Sequence, residues 1–479
     1  MRRPSRLRSL LIVSTAALGL AACSSSTEVP AARSSATDVA FTACDQATCT
    51  GEISGAKFEI VMPDTWNGTL LLWSHGIRAP QRLPLYPKEP VVTDPEVAPG
   101  STPDAIGDVG QQLLDQGYAL AGSAYASNGW AVDDGVTAGE DLHQYFVDHI
   151  GTPNRTIVWG ASLGGLVTAL LEQKDGATWV DGAAPMCGVV AGGNDNLDLA
   201  LDVTYGIKQL MAPQLQLTGY SGWADAAKQW KTGYDAVLAA GKNIQVGVPE
   251  IIFLAALADA QPQTKTYDGA DLTSQVEAYG EALVNALTYG TLFRSDIENR
   301  VGGNPSENTT SNYAARISTD ERTLIDSIGG KGTTNKLLAK MAAGTRVSAD
   351  PTAREALQAD TPTGAITDPV FTVHTRADPL VIAQNETVYA NRVADVPQQV
   401  GDLVQSYTVA PATYPPSPGA PYGAGHCNFT TQTYVGTVSV INDWVQNDVY
   451  PAHAAIARAF GPASGYNEVY APGPWPAQN

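Results

Sequence analysis

The stretch TIVWGASLGGL, Thr156 to Leu166, runs a short apolar strand pattern into a glycine turn and then into a helical pattern, with Ser162 at the joint. A serine hydroxyl is a poor nucleophile at neutral pH and needs a base beside it. A sharp strand-to-helix turn lifts the side chain above the edge of a sheet. It also sets the backbone N–H groups of a helix N-terminus beside it, where they can hold an oxyanion. Gly160 and Gly164 flank Ser162 where such a turn brings backbones too close for a Cβ. The pattern Gly-x-Ser-x-Gly alone is weak because glycine is common. The strand before it and the helix after it give it weight against the competing reading, a serine that merely starts a helix.

Such a serine needs a sheet to stand on. Ala56–Pro63 and Thr69–Gly76 read as strands joined by a turn, and Tyr118–Tyr125 as a third, preceded by a helical stretch from Ala105 to Gln116. Gly139–Ile150 reads as helix and Val180–Gly188 as strand. Short apolar strands alternating with helices predict an α/β fold, a mostly parallel, doubly wound sheet covered on both faces. The alternation stops near Gly192. From residue 193 to 365 the chain reads as helices and loops, the size of a domain. Leu272, Val276, Tyr279, Leu283 and Leu287 fall on one helical face, with Gly290 placed to end that helix. Ser318 and Glu321 form a capping-box pair. Strands resume at Pro369–Thr375 and Leu403–Ala410, a last core helix follows, and the tail from Gly461 reads as Gly/Pro-rich coil. The boundaries expected are therefore a core from 41 to 192, a helical lid from 193 to 365, a second core part from 366 to 460, and a tail from 461 to 479. Insertions at strand carboxyl ends sit where open α/β sheets bind ligands, so this one is placed to act as a lid.

At the Ser162 turn the chain resembles the α/β-hydrolase superfamily, in particular its esterase-, lipase- or prolyl-oligopeptidase-like members, over nearly everything outside the insertion. The resemblance implies further parts in a set order. In the superfamily the residue after a His-Gly at the end of an early strand lends a backbone N–H to the oxyanion. Here His75-Gly76 ends the strand Thr69–Ser74, which makes the donor Ile77, with Leu163 after the nucleophile as the second. Asp378, after the strand ending near His374, stands at a position similar to the family's acid; the competing reading is a turn aspartate before Pro379. Asp402 precedes its strand and lies at the wrong end of the sheet. His426, in the glycine-rich loop before the final helix, stands at the position of the base. Of the other five histidines, His143 and His149 lie on a helix before the nucleophile, His374 in or at the end of a strand, His453 after the last helix, and His75 in the oxyanion loop. The order Ser162, Asp378, His426 is the superfamily's own. A carboxylate at Asp378 would orient the histidine and stabilise its cation.

The chain opens on Arg2, Arg3, Arg6 and Arg8 and an apolar run from Leu10 to Ala22, the layout of an export signal. Leu20-Ala-Ala-Cys23 resembles a bacterial lipoprotein processing site, which predicts lipidation of Cys23 and a flexible tether over 23–40. An exported or surface-anchored protein meets an oxidising compartment, so the remaining four cysteines predict two bridges. Three pairings are possible; local closure favours Cys44 with Cys49, and then Cys187 with Cys427. A Cys187–Cys427 bridge would pin the histidine loop. That partly resembles tannases and feruloyl esterases, although those carry cysteine directly before the serine, where this chain has Ala161.

The formal charge is -20, from 28 basic and 48 acidic residues, so there is no cationic surface for a nucleic-acid partner. The sequence carries no His-Glu-x-x-His, no paired Cys-x-x-Cys and no Gly-x-Gly-x-x-Gly after a strand, so neither a metal nor a dinucleotide cofactor is expected. The expected partners are a small-molecule or short acyl substrate and, through the lipid anchor alone, a membrane. Tyr125 and Trp130, with His75, are candidates for an apolar acyl pocket. Asp133 and Asp134 would suit a substrate amine instead, or simply a solvated turn. The expected activity is a serine carboxylic-ester hydrolase acting on apolar or aromatic esters. An aminopeptidase, or an inactive surface binding protein on the same fold, is the alternative.

Overall fold

The computed structural model describes residues 47–102, 105–263, 267–268, 271–414 and 419–476, with the strand path of 39–44. The leader, Cys23 and the tether up to residue 38 lie outside the described residues. Strands β1 (Val39–Cys44), β2 (Thr48–Ile53) and β3 (Ala56–Val61) run antiparallel. Then come β4 (Thr69–Ser74), α1 (Gly107–Asp115), β5 (Ala119–Ser123), α2 (Val132–His149), β6 (Arg155–Ala161), α3 (Leu163–Asp175) and β7 (Gly182–Met186). An all-helical stretch apart from β8 (Tyr267–Asp268) follows: α4 (Gly192–Leu210), α5 (Trp223–Gly241), α6 (Gly247–Leu257), α7 (Leu272–Thr288), a π-helical segment Tyr289–Phe293, α8 (Arg294–Val301), α9 (Thr319–Gly329), α10 (Thr333–Ala343) and α11 (Pro351–Gln358). The chain returns to the sheet with β9 (Val370–Thr375), α12 (Gln384–Asp395), β10 (Leu403–Thr408) and the short β11 (Thr413–Tyr414), and closes with α13 (Thr431–Asn447) and α14 (His453–Phe460).

The main sheet has nine strands in the order β1-β2-β3-β5-β4-β6-β7-β9-β10. From β5 to β10 every pairing is parallel. Parallel strands need crossover helices, and those helices cover both faces, which is why β4 has an apolar run over residues 70–73 and all six residues buried. Leu142, Phe146, Val167, Leu171 and Tyr389 of α2, α3 and α12 pack on one face. Val109, Leu113, Val438, Ile441 and Phe460 of α1, α13 and α14 pack on the other. Each such side chain contributes about 1.5–3 kcal/mol on burial.

The insertion has a core of its own, with Tyr205, Phe253, Leu254, Leu283, Leu287 and Ile325 in one cluster. Val276, Leu283 and Leu287 supply the apolar face of α7, with Leu272 and Tyr279 packed against it. Ser318 and Glu321 close their capping box at the start of α9.

Several sequence expectations need correction. Val39 and Ala40, expected in a tether, begin β1. Gly290 does not end α7: Arg294 Nε donates to its carbonyl at 3.0 Å, and winding continues through the π segment into α8. The helix expected from Gly139 starts at Val132, so Asp133 and Asp134 occupy a first helical turn, where acids suit the backbone dipole. The tail is docked: Trp475 is buried in the cluster of the insertion, and Tyr466 bridges to Thr408 at the end of β10.

Candidate active site

Ser162 sits between β6 and α3 with φ 61° and ψ -123°, a conformation unfavourable for a residue with a Cβ. The turn is tight because α3 drops directly onto β4: a Cβ on Gly164 would collide with the Ser74 carbonyl, and one on Gly160 would lie 2.6 Å from it. The turn exposes Ser162 Oγ at the carboxyl edge of the sheet. Asp378 follows β9, and His426 follows β10 on the loop before α13. Asp378 and His426 are 48 residues apart, and Ser162 and His426 264, yet all three meet. His426 Nε2 lies 2.8 Å from Ser162 Oγ, and His426 Nδ1 lies 2.8 Å from Asp378 Oδ2. Asp378 Oδ1 accepts the backbone N–H groups of Leu380 and Val381 at 2.9 and 2.8 Å, which fixes the carboxylate plane. Burial alone would push the Asp378 carboxyl up. The imidazoles of His426 and His374 and the Val381 N–H hold it below the usual range. Asp402 lies just before β10, at the opposite end of that strand from Thr408.

Leu163 is the first residue of α3, so its N–H has no acceptor within the helix. His75 Nδ1 lies 2.6 Å from the Gly76 carbonyl, and burial, then the nearby Arg78 charge, push this imidazole well below its ordinary pKa, so the neutral ring donates from Nδ1. In a trans peptide the carbonyl and the following N–H point oppositely. The bond that draws the Gly76 carbonyl toward His75 therefore turns the Ile77 N–H away from it. Ile77, Ser162 and Leu163 border the same cavity, of about 810 Å³ counted to its open mouth.

Trp130 lines that cavity. Its indole N–H donates to Asp360 at 2.7 Å and its backbone N–H to Asp296 at 2.7 Å. Burial raises the Asp360 carboxyl to about 7 against the pull of that indole bond. His75 and Tyr125, also expected in the pocket, do not line it. They stack on each other with centroids 3.9 Å apart, and the Tyr125 hydroxyl donates to the His75 carbonyl, so both belong to the packing beneath the Gly76 loop. Half of the lining comes from the insertion, including Leu199, Ala200 and Val203 of α4, Ala282 and Ala286 of α7, and Tyr289 and Phe293 of the π segment. Short-range sequence pattern had no means of bringing these residues to Ser162, because each looks like ordinary helix core. Asp134 takes the Ser127 hydroxyl at 2.5 Å and faces Arg300 of α8 at 3.7 Å, so it is already engaged.

Cys187, just past β7, is bonded to Cys427, 240 residues away and adjacent to His426. The bridge ties the histidine loop to the sheet. Cys49 is disulfide-bonded, and the antiparallel register sets Cys44 opposite it; the Cys44 side chain lies outside the described side chains. No helix among the described residues is long and apolar enough to cross a membrane.

The strand order, the crossover helices and a serine at the β6–α3 turn define the α/β-hydrolase fold. No protein-family model matches the chain, and no curated protein matches it. Among solved structures it is similar to feruloyl esterase B from Aspergillus oryzae, at 14% identity over 84% of this chain and 80% of that one, TM-score 0.35. It is similar to the rice cell wall degrading esterase LipA from Xanthomonas oryzae, at 13% identity over 83% and 88%, TM-score 0.34. Candida antarctica lipase A in its closed state aligns at 11% identity over 85% and 78%, TM-score 0.37. At such identities the function is read from the site itself.

Proposed function

We propose that the protein is a serine hydrolase that cleaves carboxylic esters with an apolar or aromatic acyl group through an acyl-enzyme. The observation that carries this is the chain Ser162–His426–Asp378, linked by two 2.8 Å contacts at the mouth of an apolar cavity. His426 takes the proton of Ser162 as its Oγ attacks the ester carbonyl. The N–H groups of Ile77 and Leu163 hold the oxyanion, each contributing about 3 kcal/mol to the transition state. The protonated His426 gives its proton to the leaving alkoxide. It then draws a proton from water, which attacks the acyl-enzyme, and returns that proton to Ser162 Oγ as the carboxylic acid leaves. Asp378 stays ionised and keeps the imidazole in the productive tautomer.

Aminopeptidase activity is the weaker reading, because Asp134, one of the two carboxylates suited to a substrate amine, is engaged by Ser127 and Arg300 and does not line the cavity. An inactive binding protein would have no use for a strained serine within proton-transfer distance of an imidazole. Incubation with p-nitrophenyl esters beside aminoacyl-anilides tests the choice, with a fluorophosphonate probe read on wild type and Ser162→Ala. Ester turnover and probe labelling that both vanish in the variant are expected; anilide turnover exceeding ester turnover, or an unlabelled wild type, overturns the reading.

In this proposal the helical insertion acts as a lid over the site, and the protein is exported and held on a membrane by a lipid at Cys23. The disulfide beside His426 suits an oxidising compartment. Metabolic incorporation of a labelled fatty acid, lost in Cys23→Ser, is the expected result; equal incorporation in both removes the anchor.

A further inference from the structure

The mechanism above leaves one buried histidine unused. His374, in β9, has a fully buried side chain and approaches Asp378 Oδ2, the same carboxylate oxygen that His426 contacts. Its Nε2 lies 2.9 Å from the Val381 carbonyl and 3.8 Å from Asp378 Oδ2. Its Nδ1 lies 3.3 Å from Glu386 Oε1 of α12, also fully buried. The other Glu386 oxygen accepts the Thr372 hydroxyl at 2.6 Å and the Gln405 amide at 2.7 Å. A carbonyl only accepts, so Nε2 carries a hydrogen; with a carboxylate facing Nδ1, both ring nitrogens are donors and the ring is a cation.

Charge arithmetic points the same way. Among the described residues no lysine or arginine pairs with Asp378 or Glu386, whose ionic partners are His374 and His426. The remaining titratable neighbours of Glu386 are the phenols of Tyr389 and Tyr407, both raised by burial and then by nearby carboxylate charge, so they stay neutral. Two carboxylates in a dry interior with no cation between them would be strongly disfavoured. Burial by itself lowers the His374 pKa, but the Glu386 hydrogen bond and charge, then Asp378 and the Val381 carbonyl, raise it above its ordinary value.

We propose that His374 is a charged positioning residue that extends the site into one buried chain, Glu386–His374–Asp378–His426–Ser162. The cation holds the loop of Asp378 through the Val381 carbonyl. It also moderates the pull of Asp378 on the His426 imidazolium, so that His426 releases its proton more readily and stays available as a base. A raised folded-state pKa means the contribution to stability is complete below the ordinary histidine value and is lost as pH rises through the folded one.

This rests on the triad reading, so the first test is independent of activity. In protein labelled at histidine Cε1, the resonance absent from His374→Gln is expected at the imidazolium position at pH 8; a neutral position there overturns the proposal. If that variant does not fold, Glu386→Gln serves: its amide removes the counter-charge, and the His374 signal is expected to move to the neutral position at pH 8, whereas an unmoved signal overturns the pairing. The second test is the pH profile of ester turnover. The acid limb of kcat/KM in His374→Gln is expected to rise by about one pH unit, the size of a neighbouring charge removed. An unmoved limb with only a smaller folded fraction would mean a structural role and sink the idea. Absence of ester turnover in wild type would sink the enzymatic reading and leave the resonance test standing.

Discussion

The sheet carries Ser162, Asp378 and His426 on three loops at one edge, whereas α4, α7 and the π segment supply a large, mostly apolar share of the side chains that bound the cavity. The polar groups of the sheet side are held by directional bonds near 2.8 Å, each leaving little freedom of position. The wall on the insertion side is mostly aliphatic, and apolar contact has no preferred direction. Proton transfer tolerates no change of partner, but an apolar wall of small residues can be resized without disturbing the reacting atoms. The two regions should therefore answer substitution differently.

The largest separation comes from Ser162, the proposed nucleophile. Ser162→Ala should lower kcat by about 10⁵- to 10⁶-fold with an unchanged circular dichroism spectrum. Asp378→Asn should cost about 10⁴-fold in kcat through the wrong His426 tautomer. Comparable losses for any wall substitution would erase the distinction. Ala286→Phe, which projects a ring into the cavity, should lower kcat/KM for long acyl chains by about 10- to 100-fold and leave acetyl esters within about twofold. Equal losses for both chain lengths would mean that the acyl group does not occupy this space.

Smaller effects separate the sheet's chemistry from its stability. Replacing both Cys187 and Cys427 by serine should destabilise the fold by about 2–4 kcal/mol in chemical denaturation, with the surviving folded fraction less active as the His426 loop loosens. Glu172 of α3 is fully buried, and burial lifts its carboxyl to about 7 even though the Thr367 and Asp368 N–H groups donate to it. A carboxyl raised on folding opposes stability as pH climbs from its unfolded value through 7, and the full cost stands above that. Glu172→Gln should thus raise the melting temperature at pH 8 and leave it nearly unchanged at pH 4.5; a gain of equal size at both would show that charge is not the cause.

The strands around Ser162 were legible because a buried parallel strand is a short apolar run and its helix follows at once; TIVWG and LGGLVTALLEQ announce themselves. The β1–β2 hairpin was not, since Thr48–Ile53 mixes small and polar residues, and β1 reaches the sheet only through β2, which pairs with β3. Asp378 and His426 were found through the α/β-hydrolase resemblance, which expects an acid and a base after the strands that end near Thr375 and Thr408. Trp130 was found by type, while Tyr125 and His75 have the same apolar character yet stack under the loop. His374 and Glu386 gave no signal at all: a histidine inside a strand and a glutamate early in a helix are unremarkable until packing leaves them facing one another.

Local sequence determined which elements form and where a serine is forced into a strained turn, because those outcomes depend on residues within a few positions of each other. Only the tertiary structure decided that α4 and α7 wall the cavity, that Cys187 reaches Cys427, and that a buried imidazole stands between two carboxylates. Those meetings join residues far apart along the chain or on separate elements. Their energies come from excluding water around them, and that exclusion exists only once the whole sheet and its helices have packed.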